Sequence, residues 1–292
     1  MRVRVPASSA NLGPGFDTLG LALGLYDEVD VAVAPEGVTV EVDGAGAGGV
    51  PRDERHLVVR AMRRTFDVFG WSNAAPPGLH LRCRNAIPHA RGLGSSAAAA
   101  VAGAAAAAAL AGRDLDLEQE TLLQVTAGME GHADNAAASL LGGFVVAWNT
   151  DGHFGAVGLE AHSGIAPVAL VPEVESSTAT TRGLLPDRIP LADAAFTGSR
   201  TALAVLAFTQ RPDLLFPATA DRLHQEYRRP AYPESAALVD TLRSAGVPAV
   251  ISGAGPTVLA LTADGALPSD TDLHGFTVRP LPVDPHGVTV DT

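Results

Sequence analysis

No lysine occurs anywhere in the 292 residues, so all 20 basic side chains are arginine. Chemistry that needs an amine side chain is therefore excluded: Schiff bases, pyridoxal-phosphate anchoring, lysine general bases and the lysine of a Walker-type P-loop. Anions must be held by Arg, by backbone N–H groups, by helix N-termini or through a metal. Cysteine is almost as scarce. Cys83 stands alone, which rules out an intrachain disulfide and fits a reducing compartment. Its place in the alternating stretch Leu79–Arg84 marks it as a buried strand residue rather than a nucleophile. Aromatics make up 5 % of the chain, so the core must be built from Ala, Val and Leu. A basic stripe is missing too. The net charge is −12, and general nucleic-acid binding is excluded. The longest apolar run, Ala97 to Ala111, is mostly alanine and falls short of the roughly 20 residues a membrane helix needs. It reads as a buried helix whose small side chains admit close neighbours. Met1–Val5 has no apolar signal-peptide core. A cytoplasmic enzyme with no membrane partner is expected.

What is present is apolar enough, at 47 %, for a folded core, with length for one large or two ordinary domains. Alternation predicts strands over Arg2–Pro6, Val38–Val42 and Leu79–Arg84, and a further apolar, β-branched stretch spans Leu19–Val33. Helical spacing predicts a helix over Glu54–Phe69 and another after an N-cap at Asp116, running to about Met129. Strands follow over Gly142–Trp148 and Ala166–Val171. Leu203–Phe208, Asp213–His224 and Glu234–Ala245 read as helical. Val247–Ser252 and Thr257–Thr262 read as short strands around a glycine turn. Without regular βαβ alternation the class is α+β. Glycine and polar residues cluster over 149–165, dividing the chain into 1–155 and 156–292. The nine histidines show no zinc-type spacing.

Three glycine-centred motifs carry the chemistry. The middle one is Pro88-His-Ala-Arg91-Gly92-Leu93-Gly94-Ser95-Ser96-Ala97, before the alanine helix. Glycines let the backbone approach a ligand, and the helix N-terminus favours phosphate. One serine can cap the helix while the other reaches a metal. A Walker loop is excluded by the missing lysine. A dinucleotide fingerprint matches formally as Gly92-x-Gly94-x-x-Ala97, but that fold needs a continuous apolar strand before the loop, and here the strand alternates. The first motif, Pro6-Ala-Ser8-Ser9-Ala-Asn11-Leu-Gly13-Pro14-Gly15-Phe-Asp17, puts an amide and a carboxylate on one turn, which suits a small polar molecule. The third, Val250-Ile-Ser252-Gly253-Ala-Gly255-Pro256-Thr257, is a strand, a glycine turn and a second strand.

Together, in this order, the three motifs resemble the GHMP family of small-molecule kinases, whose signature is the Pro-x-x-x-Gly-Leu-Gly-Ser-Ser-Ala loop. Within the family, Ser9–Asp17, Glu130-Gly-His132-Ala-Asp134-Asn135, Ser177-Thr178-x-x-x-Arg182-x-x-Leu185-Pro186 and Asp221-Arg-Leu-His224-x-x-Tyr227-Arg228 are similar to the branch that acts on L-homoserine. The resemblance runs from residue 2 to about 262.

It implies the two-domain GHMP architecture, an S5-like N-terminal part and a ferredoxin-like C-terminal part with the site between them. The implied activity is ATP-dependent phosphorylation of the L-homoserine hydroxyl in threonine biosynthesis. Pro88, Arg91, Gly92, Leu93, Gly94, Ser95, Ser96 and Ala97 would hold ATP. Mg²⁺ would lie on Ser96 and a carboxylate, Glu130, with Gln124 at the position some relatives use instead. Asp134, Asn135 and Thr178 would surround the transfer. Asn11, Asp17, His132, Arg182, Arg228 and Gly253 would bind substrate, the arginines taking its carboxylate and Asp17 its ammonium. A homodimer is compatible with this. The runners-up are a family kinase for another small alcohol, a mevalonate-pathway intermediate or shikimate, and a non-catalytic nucleotide-binding regulator.

Overall fold

The computed structural model describes residues 1–71, 75–176 and 178–291. A long hairpin of β1 (Arg2–Asn11) and β2 (Gly15–Ala34) is its spine. The register runs from Arg2↔Asp30 to Asn11↔Gly15 and shifts after Pro6 and after Ala10. β4 (Gly78–Asn85) pairs antiparallel with one half of β2 and parallel with β3 (Gly37–Gly44). β3 and β4 are joined through α1 (Leu57–Val68). β5 (Phe144–Thr150) pairs with Leu19–Leu21 of β2, and β6 (His153–Leu159) extends it. The last strand, β11 (Thr289–Asp291), returns from the far end of the chain to pair with Arg2–Arg4.

Helices α2 (Ser95–Leu110), α3 (Leu115–Glu130) and α4 (Asp134–Leu141) join α1 over this sheet. α2 runs through their centre, touching α1, α3, α4 and β1. With so few aromatics, close packing is reached by bringing backbones together. Gly103 is the tightest point: a β-carbon there would lie 2.2 Å from the Val58 carbonyl oxygen of α1.

The second sheet comprises β7 (Ala166–Pro172), β8 (Ala249–Ile251), β9 (Val258–Thr262) and β10 (Phe276–Pro280), in the order β10-β7-β9-β8 with every pair antiparallel. This is the ferredoxin-like strand order. Its second crossover, residues 263–275, holds no helix. Between β7 and β8 lie α5 (Thr178–Arg182), α6 (Leu191–Thr209), α7 (Leu215–Ala218), α8 (Gln225–Arg228) and α9 (Pro233–Ser244).

The α+β class and the two-part architecture match the sequence reading, and Cys83 is buried on β4. Four details differ. The α3 cap is Asp114, whose carboxylate accepts from the Asp116 N–H, so the helix starts earlier than Asp116. Residues 213–224 are not one helix, because the Asp221 carboxylate takes the N–H groups of Leu223, His224 and Gln225 and turns the chain. β6 straddles the 155/156 division; its alternation is hidden by glycines, of which Gly155 sits under the Trp148 indole across the hairpin. The tail after 263, which carries no motif, supplies an edge strand to each sheet.

Asp27 of β2 clasps the start of the loop after β4, accepting from Ala86 N–H (2.8 Å) and Ile87 N–H (2.9 Å) through Oδ1. Burial outweighs these bonds and pushes its carboxyl up to about 6.

Two stability measurements follow. Alanine normally gains about 1 kcal/mol over glycine inside a helix, but Gly103→Ala should destabilise by roughly 1–3 kcal/mol through overpacking; an unchanged or raised Tm would contradict the α1–α2 contact. Asp27 has a folded-state pKa above its unfolded value. Its contribution to stability is therefore fully present below about pH 4 and is lost as pH rises through about 6. Asp27→Asn keeps the acceptor and removes that loss. It should raise stability at pH 8 by on the order of 2–3 kcal/mol and leave it near wild type at pH 4; equal effects at both pH values would contradict the assignment.

Candidate active site

The three glycine motifs, far apart in sequence, meet at one point. The Ser252 hydroxyl donates to the Gly92 carbonyl (2.6 Å) and lies 2.8 Å from the Ser9 hydroxyl. The Gly253 N–H donates to Ala10 O (3.0 Å), Ser8 N–H to Leu93 O (3.1 Å) and Thr257 N–H to Arg91 O (3.3 Å). Two sheets are thereby tied around the N-terminus of α2. Gly94 is the N-cap of that helix, with φ of 71°. Only glycine tolerates its position, since a β-carbon would lie 2.1 Å from Ser8 Oγ. Neither serine caps the helix, contrary to the sequence expectation. The first turn of α2 has no side-chain cap, so its N–H groups are left for an anion.

Other predicted loop residues divide by role. Leu93 and Ala97 are buried behind the loop as packing. Arg91 is tied to the end of β7: its guanidinium donates to Pro172 O (2.9 Å), to the Glu173 carbonyl and to His89 O, and pairs with Glu175 at 3.3 Å. Pro88 is half-buried at the loop entrance. Ser96 hydrogen-bonds Glu130 across from the helix start. Gln124 is turned away, its amide clamping the main chain of Phe154 in both directions. A hydroxyl and a carboxylate in contact are hard oxygen donors of the kind Mg²⁺ uses together with phosphate oxygens. Among the described residues no cluster of three His, Cys, Asp or Glu side chains could hold a metal by itself.

Across the loop, Asp134 opens α4 and is 2 % exposed. Its Oδ1 accepts from His132 Nδ1–H (2.7 Å) and from Asn135 N–H (2.8 Å). Burial lowers the His132 pKa, but the hydrogen bond to Asp134 and the charges of Asp134, Asp17 and Glu130 outweigh it, leaving a net rise. Asn135 Oδ1 accepts from the Ser8 hydroxyl.

The β1–β2 turn is strained, with Asn11, Leu12 and Asp17 all at positive φ (68°, 49° and 54°). Asn11 holds this shape, its Nδ2 donating to Gly253 O (2.8 Å) and its Oδ1 accepting from Asp17 N–H (3.0 Å). These bonds, with the Gly253 N–H on Ala10 O, brace the turn and still leave Asn11 a second Nδ2 hydrogen and the Gly253 carbonyl a second lone pair. The strained turn presents Asp17, which forms a two-pronged ion pair with Arg182 (2.6 and 3.0 Å). Arg228 is 1 % exposed. It donates to Thr181 O (3.3 Å) and reaches His224 Nδ1 (3.4 Å), yet no carboxylate lies within ion-pair distance among the described residues. Burial, reinforced by Arg182, lowers its pKa. Phe16 lies between the two arginines, 5.2 Å from one guanidinium and 5.0 Å from the other. The side chain of Thr178 lies outside the described residues.

Sequence reasoning missed a cavity of about 300 Å³ beside Ser95 and Ser96, under α1. It is walled by Val50, Leu57, Val58 and Ala99, with His56, His89 and Asp27 as polar lining. His56 Nδ1 is buried without a hydrogen-bond partner. An apolar slot with a few polar atoms, opening onto an anion site, suits a nucleotide base. No motif marks it, because its walls come from separate elements.

The GHMP kinases N terminal domain matches residues 56–143, and the GHMP kinases C terminal domain matches residues 197–270. The chain belongs to the GHMP kinase family. A homoserine kinase of Streptomyces avermitilis is 52 % identical to this GHMP kinase over 293 residues, covering 99 % of this chain and 95 % of that one. One from Rhodococcus erythropolis is 56 % identical over 273 residues, covering 89 % and 85 %. The crystal structure of a homoserine kinase from Cytophaga hutchinsonii superposes with a TM-score of 0.84 at 26 % identity, covering 99 % and 96 %. Within the GHMP kinases the chain therefore groups with the homoserine kinases. Among the described residues no helix is long and apolar enough to cross a membrane.

Proposed function

We propose that this GHMP kinase transfers the γ-phosphate of ATP to the hydroxyl of L-homoserine, giving O-phospho-L-homoserine for threonine biosynthesis in the cytoplasm. The observation that supports an amino-acid substrate is Arg228, a buried guanidinium with no carboxylate partner among the described residues. An unpaired buried charge is costly, and a substrate carboxylate would satisfy it. Beside it, the Asp17–Arg182 pair offers one charge of each sign to a zwitterion. Mevalonate and shikimate have no ammonium to give Asp17, which disfavours both. The regulator reading is disfavoured by the intact Asp134 and Ser95–Ser96.

Phosphoryl transfer needs positioning and charge neutralisation more than covalent chemistry. The uncapped N–H groups of α2 would hold the phosphates. Ser96 and Glu130 would hold Mg²⁺, which supplies charge neutralisation on the nucleotide when bound. Asp134, fixed by His132 and Asn135, is the group to accept the hydroxyl proton, and the arginines would fix the amino-acid end. Residues 1–155 would supply the nucleotide site, while Arg182 and Arg228 come from 156–292.

In a coupled ADP assay with ATP and Mg²⁺, L-homoserine should be turned over in preference to L-serine, mevalonate and shikimate; turnover of mevalonate or shikimate but not homoserine would overturn the proposal. Arg182→Ala and Arg228→Met should each raise the KM for homoserine by about 100-fold, the loss of a charge-assisted pair, with the KM for ATP within about threefold of wild type. An unchanged homoserine KM would remove that arginine from the site.

A further inference from the structure

Asp27 does more than its clasp requires. Only Oδ1 is used to hold Ala86 and Ile87. Among the described residues no donor reaches Oδ2, and no Arg or His lies within ion-pair distance of this 5 % exposed carboxylate. A buried carboxylate with an idle oxygen and no cation is costly. Yet Asp27 lines the cavity that continues from Ser95 and Ser96, where the base would sit.

We propose that Asp27 reads position 6 of the purine, favouring an amino group over an oxo group. This rests on the nucleotide site proposed above and deepens it. An ionised carboxylate only accepts hydrogen bonds. An exocyclic amino group supplies the missing donor, whereas a 6-oxo group would set oxygen against oxygen. Leaving polar groups unpaired in this way is how sites reject a near-isosteric ligand. The other titratable groups around Asp27 do not supply the donor. Cys83, beside it on β4, is buried and has its thiol pushed up to about 12. His56 and His89, across the cavity, are held below their usual pKa by burial and are neutral at pH 8. Arg55 at the rim is spent on Asp53 at 2.7 Å. With its own pKa of about 6, Asp27 is ionised at pH 8.

The test is calorimetric binding of ADP, inosine diphosphate and purine-riboside diphosphate, each with Mg²⁺, at pH 8. The wild type should bind ADP roughly 10- to 100-fold more tightly than inosine diphosphate, with purine-riboside diphosphate between them. In Asp27→Asn the amide oxygen still accepts from Ala86 and Ile87, while its N–H₂ can donate to a 6-oxo group. The preference for ADP should fall at least tenfold. Wild-type affinities within threefold of one another overturn the proposal, as does a variant that keeps the wild-type preference. If the variant does not fold, the three wild-type affinities decide alone. Failure of all three diphosphates to bind would overturn the nucleotide site itself, a result distinct from equal binding of all three.

Discussion

Everything else in this molecule hangs on the hydrogen bonds among the three glycine loops. Gly92 and Leu93 offer carbonyls, Ser8 and Gly253 offer N–H groups, and the Ser252 hydroxyl bridges toward Ser9. Each loop belongs to a different element: the β1 end, the α2 entrance and the turn between β8 and β9. Their main chains satisfy one another, so the backbone can be buried there without unpaired groups. That leaves the first N–H groups of α2 as the free donors of the region. A side-chain cap would have taken one of them, and the glycine that the positive φ and the nearby Ser8 hydroxyl require at the N-cap offers none.

Around this knot, charge is distributed by burial. Asp17 and Arg182 neutralise each other, and Arg228 is left buried with, among the described residues, a carbonyl and an imidazole whose pKa burial lowers. Beside Ser95 and Ser96, Asp27 is a buried carboxylate with no cation within ion-pair distance among the described residues. Each of these isolated charges lowers folding stability, and Asp27 lines the cavity under α1. A chain without lysine uses arginine for every cation, and its planar fork suits a carboxylate better than a point charge does.

The motif-bearing parts of the site were legible in the sequence because tight backbone approach leaves a fixed signature of glycine and serine. The loop at Gly92–Ser96, the Asp134 turn and the two arginines lie near one another in the structure. What it could not show was orientation. The Asn11 amide turns to Gly253 O and Asp17 N–H, and Arg91 faces β7, because these are tertiary contacts with no local pattern. Gln124 and Glu130 lie on the same helix, and only packing decides that Glu130 meets Ser96. The cavity beside Ser95 and Ser96 left no trace, since its lining is gathered from β2, β4, α1, α2 and two loops. Among the elements, β6 and α4 were missed for compositional reasons: glycine in an edge strand, and a short helix hidden inside the Asp134 motif.

The return of β11 to β1 makes the second sheet an insertion within the first. The chain crosses between them twice, at 160–165 and again at 281–288, where Asp284 is hydrogen-bonded to Tyr26, Ala22 and Gly143. Two covalent tethers raise the effective concentration of the facing loops above what one linker would give. The double crossing packs the halves into one apolar core, with the Phe208 ring of α6 stacked on Phe144 of β5 at 4.8 Å. It also sets Arg2 beside Asp291, so the two ends of the chain emerge together at the same edge of the first sheet.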